Sequence, residues 1–193
     1  MTAHERMFRH HHAHKLDNPE RQQWLPVDAV LQRLAVRPGM RVADIGAGTG
    51  YFALPLARAV LPGGRIFAVD MQPEMLDLLR ARLAPELPVV LVEGEATRTT
   101  LADASVDLVF IANVWHELDD RTAALAEASR ILRPGGRLAL LDWRADVAQP
   151  PGPPLAHRVP QPAVAALLQE QGWSVDASEP AGSFSYLVLA TRA

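Results

Sequence analysis

Apolar positions along the chain alternate between two spacings, and this predicts an alternation of strands and helices. Short apolar runs are typical of buried strands, and apolar residues three and four positions apart are typical of amphipathic helices. The apolar runs predict strands at residues 41–45, 65–69, 89–92, 106–112, 137–141, 173–177 and 186–190. The helical spacing predicts helices at residues 51–60, 73–83, 122–132 and 162–171, preceded by a helix with apolar positions 27, 30, 31 and 34.

The order of these elements predicts how the strands are arranged. Short apolar strands that alternate with helices are typical of a parallel sheet that is covered on both faces and has right-handed crossovers. The last two strands follow each other closely enough to pair antiparallel at one edge. The expected fold class is therefore α/β: a Rossmann-like, doubly wound sheet, mostly parallel with an antiparallel C-terminal edge hairpin, and with helices on both faces.

Composition and charge narrow the class of protein and of ligand. The formal net charge is -3 and there is no long basic stripe, so no nucleic-acid partner is expected. The absence of cysteine excludes a disulfide framework, a thiolate metal site and a cysteine nucleophile. No apolar run reaches the ~18 residues of a membrane span, and the polar start lacks the apolar core of a signal peptide. We therefore expect no membrane span and a cytoplasmic location.

The stretch Asp44-Ile45-Gly46-Ala47-Gly48-Thr49-Gly50 follows the first predicted strand and precedes a helix. Glycine permits positive φ and lets a ligand approach the backbone without meeting a Cβ. In an open α/β sheet such a loop lies at the carboxyl ends of the strands, where ligands bind. Tight strand-to-helix turns also use glycine, but three glycines at alternate positions favour a ligand-binding loop.

The spacing of this loop and its neighbouring acid indicate which kind of ligand it binds. Tyr51 stands where the third glycine of the dinucleotide fingerprint would be, and no Gly-Lys-Ser/Thr follows, so neither a dinucleotide nor a phosphate-binding loop is predicted. The carboxylate of Asp44 would repel a pyrophosphate but is suited to an ammonium group. These residues favour a nucleoside that carries an amino acid.

Asp70 ends the second predicted strand, in Ile66-Phe67-Ala68-Val69-Asp70. A carboxylate at the end of this strand can accept hydrogen bonds from both hydroxyls of a ribose. The alternative is that Asp70 only caps the next helix, although Pro73 and Glu74 already supply a helix start. We interpret Asp70 as a ribose-binding residue.

With these motifs the chain resembles the class I S-adenosylmethionine-dependent methyltransferases, of the small bacterial and archaeal type, over residues 37–141. The glycine loop resembles the first motif of the family, residues 107–113 its fourth-strand motif, and residues 132–138 the turn before the fifth strand. The resemblance implies that S-adenosylmethionine is the cofactor. It implies a binding site formed by Asp44, Gly46, Ala47, Gly48, Gly50, Asp70, Met71, Gly94, Glu95, Ala96 and Asn113.

The resemblance also implies a role for parts of this site. The glycine backbone would lie under the methionine portion of the cofactor, with Asp44 near its amino group. Asp70 would bind the ribose, and Met71 would pack against the adenine. The segment Gly94-Glu95-Ala96 would meet the adenine amino group, with a glutamate where an aspartate is more usual.

The flanking segments resemble a subgroup of small methyltransferases whose substrate is unknown. Some relatives are named for quinones, lipids or arsenite, and the absence of cysteine argues against arsenite because soft arsenic needs thiolate ligands. The expected reaction is methyl transfer to a small-molecule acceptor by in-line displacement, and the oligomeric state stays open. Two alternatives are a non-catalytic protein that binds S-adenosylmethionine or S-adenosylhomocysteine, and an NAD-dependent oxidoreductase, against which Tyr51 and Asp44 count.

The length of 193 residues is suited to one domain. We expect a single methyltransferase domain at 1–193, with a helical leader or lid at 1–37, a cofactor-binding core at 38–145, a proline-rich loop at 146–162, and a C-terminal helix with edge strands at 163–193. Six prolines between residues 149 and 162 exclude a regular helix or central strand there. This stretch is predicted to be an extended loop near the ligand end of the sheet, or a linker.

His116 and Glu117 are the candidate catalytic residues, because they follow the fourth predicted strand at the ligand end of the sheet. A histidine titrates near working pH, so His116 is suited to act as a base, while Glu117 orients it or binds substrate. The alternative is a loop histidine that packs against Trp115 or caps the next helix. In the proline-rich loop, His157 and Arg158 are candidates to close over the substrate, unless that loop is merely solvated.

His10, His11, His12 and His14 form a second cluster. Histidine is a common metal ligand, but we interpret these residues as a terminal tail and predict no bound metal. His14 and Lys15 are additional candidates for a lid over the cofactor.

Overall fold

Seven strands form one sheet in a computed structural model that describes residues 20–147 and 152–192. The strands are β1 (Arg41–Ile45), β2 (Arg65–Asp70), β3 (Val89–Glu93), β4 (Val106–Ala112), β5 (Leu132–Trp143), β6 (Trp173–Pro180) and β7 (Ser185–Arg192). Their order across the sheet is β3-β2-β1-β4-β5-β7-β6. The first five run parallel, and β7 pairs antiparallel with both β5 and β6. The expected α/β class with an antiparallel C-terminal hairpin at one edge is confirmed.

Helices cover both faces of this sheet. Within the described ranges, the α-helices are α1 (Arg21–Trp24), α2 (Val27–Leu34), α3 (Ala53–Ala59), α4 (Pro73–Arg80), α5 (Arg121–Ile131) and α6 (Gln161–Glu170), and short 3-10 helices lie at Trp115–Glu117 and Leu155–His157. Local signals set some of the starts: Pro73 opens α4, and Asp120 caps α5 by accepting a hydrogen bond from the amide of Ala123 at 2.8 Å.

The strand order places a crevice at the carboxyl end of β1. The chain passes from β1 outward to β2 and β3, then returns to place β4 on the other side of β1. The connections that leave β1 and β4 therefore diverge, and a crevice opens between them where open α/β sheets bind ligands. The residues that end β1, β2 and β4 meet at this rim.

β5 starts at Leu132 instead of residue 137, where the sequence predicted it. Leu132 pairs with Val106, and the register then shifts so that Leu108 pairs with Arg137. The residues in between bulge out of the ladder, with Gly135 at a φ of 76°. The stretch that was expected to be a turn before the strand is therefore a bulge within it.

Apolar side chains fill both faces of the sheet. One core, under α5 and α6, contains Trp115, Val164 and Tyr186. The other, under α2 and α3, contains Leu34 and Leu56. A doubly wound sheet requires this two-sided burial, because neither face is left to solvent. None of the helices in the described ranges is long and apolar enough to cross a membrane.

A buried carboxylate on α5 attaches the connection between β3 and β4 to the core. Glu127 accepts hydrogen bonds from the amide and the hydroxyl of Thr99, at 2.7 and 2.6 Å, and from Arg130 at 2.8 Å. Burial raises the pKa of Glu127, but the hydrogen bonds from Arg130 and Thr99 outweigh burial and bring the pKa to about 2. The ionised form of Glu127 therefore stabilises the fold.

We expect Glu127→Gln to lower the free energy of unfolding at pH 7 by about 1.5–3 kcal/mol, because it removes charge-assisted hydrogen bonds from a buried network. The carboxylate stabilises fully above its unfolded pKa of 4.5, and this contribution is lost as the pH falls toward 2. Denaturant titrations at pH 7 and pH 3 measure the difference. Glu86→Gln, at an exposed position, is the control. A loss for the Glu127 variant that is equally large at both pH values would contradict this account.

Candidate functional site

The loop after β1 turns sharply through residues of positive φ. Gly46, Gly48 and Gly50 have φ values of 75°, 54° and 91°, where a side chain would be strained. The amides of Gly46 and Ala47 both donate to the carbonyl of Val69, at 2.8 and 3.0 Å. These two hydrogen bonds bend the loop across the carboxyl end of the sheet toward β2.

Two of the three glycines are in close contact with neighbouring protein side chains. A Cβ on Gly46 would lie 2.2 Å from Cγ2 of Val114, and a Cβ on Gly50 would lie 2.4 Å from Cδ1 of Leu79. The sequence predicted that a ligand approaches the backbone of this loop. At these two positions the protein itself makes the close approach, so packing alone already requires glycine there.

Asp70, at the end of β2, fastens the glycine loop. Its Oδ2 accepts a hydrogen bond from the amide of Gly48, and its Oδ1 accepts one from the amide of Gln72, both at 2.9 Å. Burial raises the pKa of Asp70, while hydrogen bonds from the amides of Gln72, Gly48 and Met71 oppose that rise. Asp70 is not the N-cap residue of α4, which is Gln72. Its carboxylate instead joins the two turns that border the crevice.

Asp44, at the carboxyl end of β1, is a buried acid with one oxygen that has no hydrogen-bond partner among the described residues. It is 2% exposed, and its Oδ2 accepts no hydrogen bond from any residue that the structure describes. Burial and the negative charge of Asp70 raise the pKa of Asp44 to about 7, against the opposing positive charge of Arg21. A buried carboxylate of this kind needs a cationic partner to stay ionised.

Asn113 follows β4 on the opposite side of the same crevice. Its φ is 57°, and its backbone amide donates to the carbonyl of Leu141 at 2.7 Å. Both polar atoms of its side-chain amide are buried and have no hydrogen-bond partner within the described part of the chain. Buried polar groups are almost always paired, so Asn113 is suited to donate to and accept from a polar ligand.

The remaining predicted binding residues lie next to the end of β2. Met71 is 46% exposed, so its side chain is available for stacking. The amide of Gly94 donates to the carbonyl of Asp70 at 3.1 Å, so the segment after β3 is attached to the same rim. Ala96 is buried and Glu95 is exposed. The structure thus brings the sequence-predicted binding residues together around one crevice.

His116 is paired with an acid that the sequence analysis did not single out. Its Nδ1 lies 2.8 Å from Oδ1 of Asp142, and its backbone amide donates to Oδ2 of the same carboxylate at 2.8 Å. Asp142, near the end of β5, is 1% exposed and His116 is 4% exposed. Burial lowers the pKa of His116, but the charge and hydrogen bond of Asp142 and the charge of Glu117 raise it above the usual 6.5.

Two further side chains surround this pair. Oε1 of Glu117 lies 3.7 Å from Nε2 of His116, on the side away from Asp142. Tyr186 is the cross-strand partner of Asp142 and is fully buried. Burial and the charge of Asp142 raise the pKa of Tyr186, so its hydroxyl stays protonated. His116, Glu117, Asp142 and Tyr186 therefore form a polar cluster against an apolar core.

Trp143 at the end of β5 is a packing surface for two flanking segments. The ring of Trp24, on α1, lies 5.3 Å from it, centroid to centroid. A Cβ on Gly152 would lie 2.7 Å from the same indole, and the guanidinium of Arg158 lies 5.5 Å from its centroid. The leader and the proline-rich segment thus pack on one side chain.

Arg158 is buried in this arrangement. Its guanidinium donates to the carbonyl of Pro153, at 2.8 and 3.0 Å, and to the carbonyl of Arg144 at 2.9 Å. These contacts hold the proline-rich segment against the end of β5, and a role for Arg158 in closing over the substrate stays a prediction. His157 is half-buried. The predicted cluster of His10, His11, His12 and His14, with Lys15, lies outside the described residues.

A family model described as a methyltransferase domain matches residues 43–140 of the chain. An uncharacterised methyltransferase of Mycobacterium tuberculosis is 48% identical over 101 residues, which cover 52% of this chain and 39% of that protein. A demethylmenaquinone methyltransferase of Deinococcus radiodurans is 41% identical over 116 residues, which cover 60% of this chain and 47% of that protein. The chain spans less than half of the length of these curated relatives.

Two solved structures are similar to this protein over nearly the whole length of the chain. The crystal structure of an S-adenosylmethionine-dependent methyltransferase from Aquifex aeolicus superposes with a TM-score of 0.90 at 28% identity, covering 95% of this chain and 98% of that one. A magnesium protoporphyrin IX methyltransferase from Synechocystis, crystallised with bound S-adenosylmethionine, superposes with a TM-score of 0.70 at 18% identity. The superposition covers 97% of this chain and 86% of that one. At this level of identity it shows a similarity of fold.

We expect Gly46→Ala to destabilise the fold more than Gly39→Ala. Both glycines have positive φ, but a Cβ on Gly39 would meet nothing within 4 Å. The shared conformational cost is about 1–2 kcal/mol, and the collision with Val114 adds to it only at Gly46. Denaturant unfolding of both variants measures the difference. Val114→Ala should recover part of the excess in the Gly46→Ala background; equal losses at the two glycines would argue against the contact.

Proposed function

This chain belongs to the class I methyltransferases that use S-adenosylmethionine, and we propose that it transfers a methyl group from that cofactor to a small-molecule acceptor by in-line displacement. The observation that carries the proposal is the buried carboxylate of Asp44 at the carboxyl end of β1, one oxygen of which accepts no hydrogen bond from the described residues. Such a group is suited to the ammonium of an amino-acid-bearing nucleoside and would repel the pyrophosphate of a dinucleotide.

The other residues around the crevice fit the same cofactor. Asn113 has a side-chain donor and acceptor that no described residue pairs with, and Met71 presents an exposed apolar surface for the adenine. Both oxygens of Asp70 retain lone pairs beyond the amide hydrogen bonds they accept, so this acid can also receive the ribose hydroxyls. We assign the cofactor to these residues together with the backbone of Gly46, Ala47, Gly48 and Gly50, and of the segment Gly94-Glu95-Ala96.

The protein's main contribution to the reaction is alignment. Bound S-adenosylmethionine supplies a methyl group on a positively charged sulfur, and its leaving group is neutral, so no acid is needed for departure. What remains for the protein is to hold the acceptor atom in line and keep water away, which can contribute ~7–11 kcal/mol. The crevice between β1 and β4 supplies fixed walls for this purpose, since the loops on both sides are held by backbone hydrogen bonds.

His116 is proposed as the base that removes a proton from the acceptor when the acceptor arrives protonated. The carboxylate of Asp142 lies against Nδ1, so the neutral imidazole carries its proton on Nδ1 and presents a lone pair on Nε2. Glu117, near Nε2, is suited to stabilise the imidazolium that forms. Asp142 is thus a positioning residue, since it acts through His116.

The acceptor is proposed as a small molecule on the basis of the relatives. One relative is named a demethylmenaquinone methyltransferase and another a malonyl-[acyl-carrier protein] O-methyltransferase of Methylococcus capsulatus, with 44% identity over 104 residues. These names give two different kinds of acceptor, and only the second specifies the atom, an oxygen. They support a small or carrier-bound acceptor for this chain without selecting the atom that is methylated.

Incubation with S-adenosylmethionine and a panel of quinols, phenols and carboxylic acids tests the function directly. We expect formation of S-adenosylhomocysteine that depends on one class of acceptor and is lost in Asp44→Ala. Tight cofactor binding without turnover across the whole panel would favour the binding-protein alternative. Binding of NAD in preference to S-adenosylmethionine would overturn the proposal.

We expect the affinity for S-adenosylmethionine to rise as the pH increases through about 7. The pKa of Asp44 is raised to about 7 by burial and by Asp70, with Arg21 opposing, and only the ionised form attracts the ammonium. Well below this pKa the affinity should fall about tenfold per pH unit. Calorimetry between pH 5.5 and 8.5 measures the effect, and Asp44→Asn should bind weakly without it. Asp28→Asn, at an exposed position of α2, is the control; the same pH dependence in Asp44→Asn would exclude Asp44 as its source.

We expect Asp142→Asn to lower the pKa of His116 and the rate of methyl transfer. The base must be neutral, so the rate falls as the pH drops through the raised pKa of His116; losing the negative charge moves this fall to lower pH. The asparagine also disfavours the Nδ1-protonated tautomer, so the maximal rate should drop about 10²-fold.

Two measurements check this prediction. Titration of the His116 ring by NMR reports its pKa and tautomer without any acceptor, and the pH profile of the rate is then measured with the acceptor class that the panel selects. Asp146→Asn, at an exposed acid of the same segment, should leave both unchanged. A His116 titration that is identical in Asp142→Asn and in the unchanged protein would remove Asp142 from this role.

A further inference from the structure

The leader helix α1 lies over the exit of the glycine loop. Tyr51, which directly follows Gly50, donates its hydroxyl to the carbonyl of Leu25 at 2.7 Å, and Leu25 is fully buried. The guanidinium carbon of Arg21 lies 3.9 Å from the centroid of the Tyr51 ring. The aromatic ring at this position therefore connects the leader with the loop and supports a stacked arginine.

Arg21 is an unusual residue for its position. It is only 6% exposed, and its guanidinium lies against the Tyr51 ring, so its charge is held largely out of water beside the glycine loop. The nearby Asp44 is buried to a similar extent, and one of its oxygens accepts no hydrogen bond from the described residues. A buried positive and a buried negative group thus flank the same loop, one supplied by α1 and one by β1.

We propose that Arg21 binds the carboxylate of the methionine portion of S-adenosylmethionine, so that Arg21 and Asp44 together recognise the amino-acid end of the cofactor as a zwitterion. This rests on the proposed function, because it assigns the cofactor to the crevice beside Asp44. An α-amino acid carries its ammonium and its carboxylate on the same carbon, and the protein offers one buried group of each opposite sign. A guanidinium matches a carboxylate geometrically through parallel hydrogen bonds.

The same arrangement explains why Tyr51 follows the glycine loop. A third glycine at this point would complete a dinucleotide fingerprint, whereas Tyr51 provides the flat surface on which the Arg21 guanidinium lies. Stacking fixes the plane of the guanidinium and stabilises a charge that is removed from water. The position that departs from the dinucleotide pattern is therefore the one that orients the arginine.

A pair of ligands that differ only in the carboxylate tests the proposal. We would measure by calorimetry the affinities of S-adenosylmethionine and of its decarboxylated analogue for the unchanged protein and for Arg21→Gln. The unchanged protein should prefer S-adenosylmethionine by about 10- to 100-fold, the range of a charge-assisted hydrogen-bond pair. Arg21→Gln should lose this preference and bind the decarboxylated analogue as the unchanged protein does.

Controls separate the carboxylate from other effects of the substitution. Arg37→Gln removes an exposed arginine before β1 and should keep the full preference, and thermal melting of each variant shows whether it folds. Tyr51→Leu should reduce the preference while Arg21 is still present. If Arg21→Gln weakens both ligands by the same factor, or neither, Arg21 does not contact the carboxylate and the inference is overturned. If the unchanged protein binds neither ligand, it is the proposed function that fails.

Discussion

The carboxylate of Asp44 is buried at the end of β1 with one oxygen that no described residue satisfies, and the rest of the site depends on how this charge is balanced. Asp70, beside it, is negative as well and already accepts hydrogen bonds from two backbone amides. A desolvated acid in such a place needs a compensating charge to stay ionised, and its raised pKa of about 7 shows how incomplete the compensation within the protein is. The positive charge of Arg21 supplies part of the compensation, and we infer that a cationic group of the ligand supplies the remainder.

The two groups of functional residues belong to opposite faces of the sheet. Residues two apart on a strand share a face of the sheet. Asp44 therefore lies on the same face as Val42, which belongs to the core under α2 and α3. Asp142 lies on the same face as Leu140, which belongs to the core under α5 and α6. The proposed cofactor site and the proposed base therefore meet only where β1 and β4 end. A reaction that needs both groups is restricted to that rim, where the connections on either side are held by backbone hydrogen bonds.

Strand-end residues were predictable from the sequence, and contacts between distant segments were not. Asp44 and Asp70 each end a short apolar run, and parallel strands bring such ends to one edge. Asp142 carries the same signal, since it ends the run before Trp143, but no motif drew attention to it. Arg21 carried no signal, because its position over Tyr51 depends on how the leader packs. The glycines show the same difference between local and long-range information. The sequence pattern indicates positive φ at Gly46, but it does not show that Val114 occupies the space beside this residue.

The indole of Trp143 supports the leader through Trp24 and the proline-rich segment through Gly152 and Arg158. Because both segments pack on the same indole, an insertion or substitution in one segment changes the surface against which the other packs. We therefore expect a sequence change in one flank to require a matching change in the other. A chimera that takes one flank from a relative should need the matching flank as well, whereas the strands that carry Asp44 and Asp70 can stay as they are.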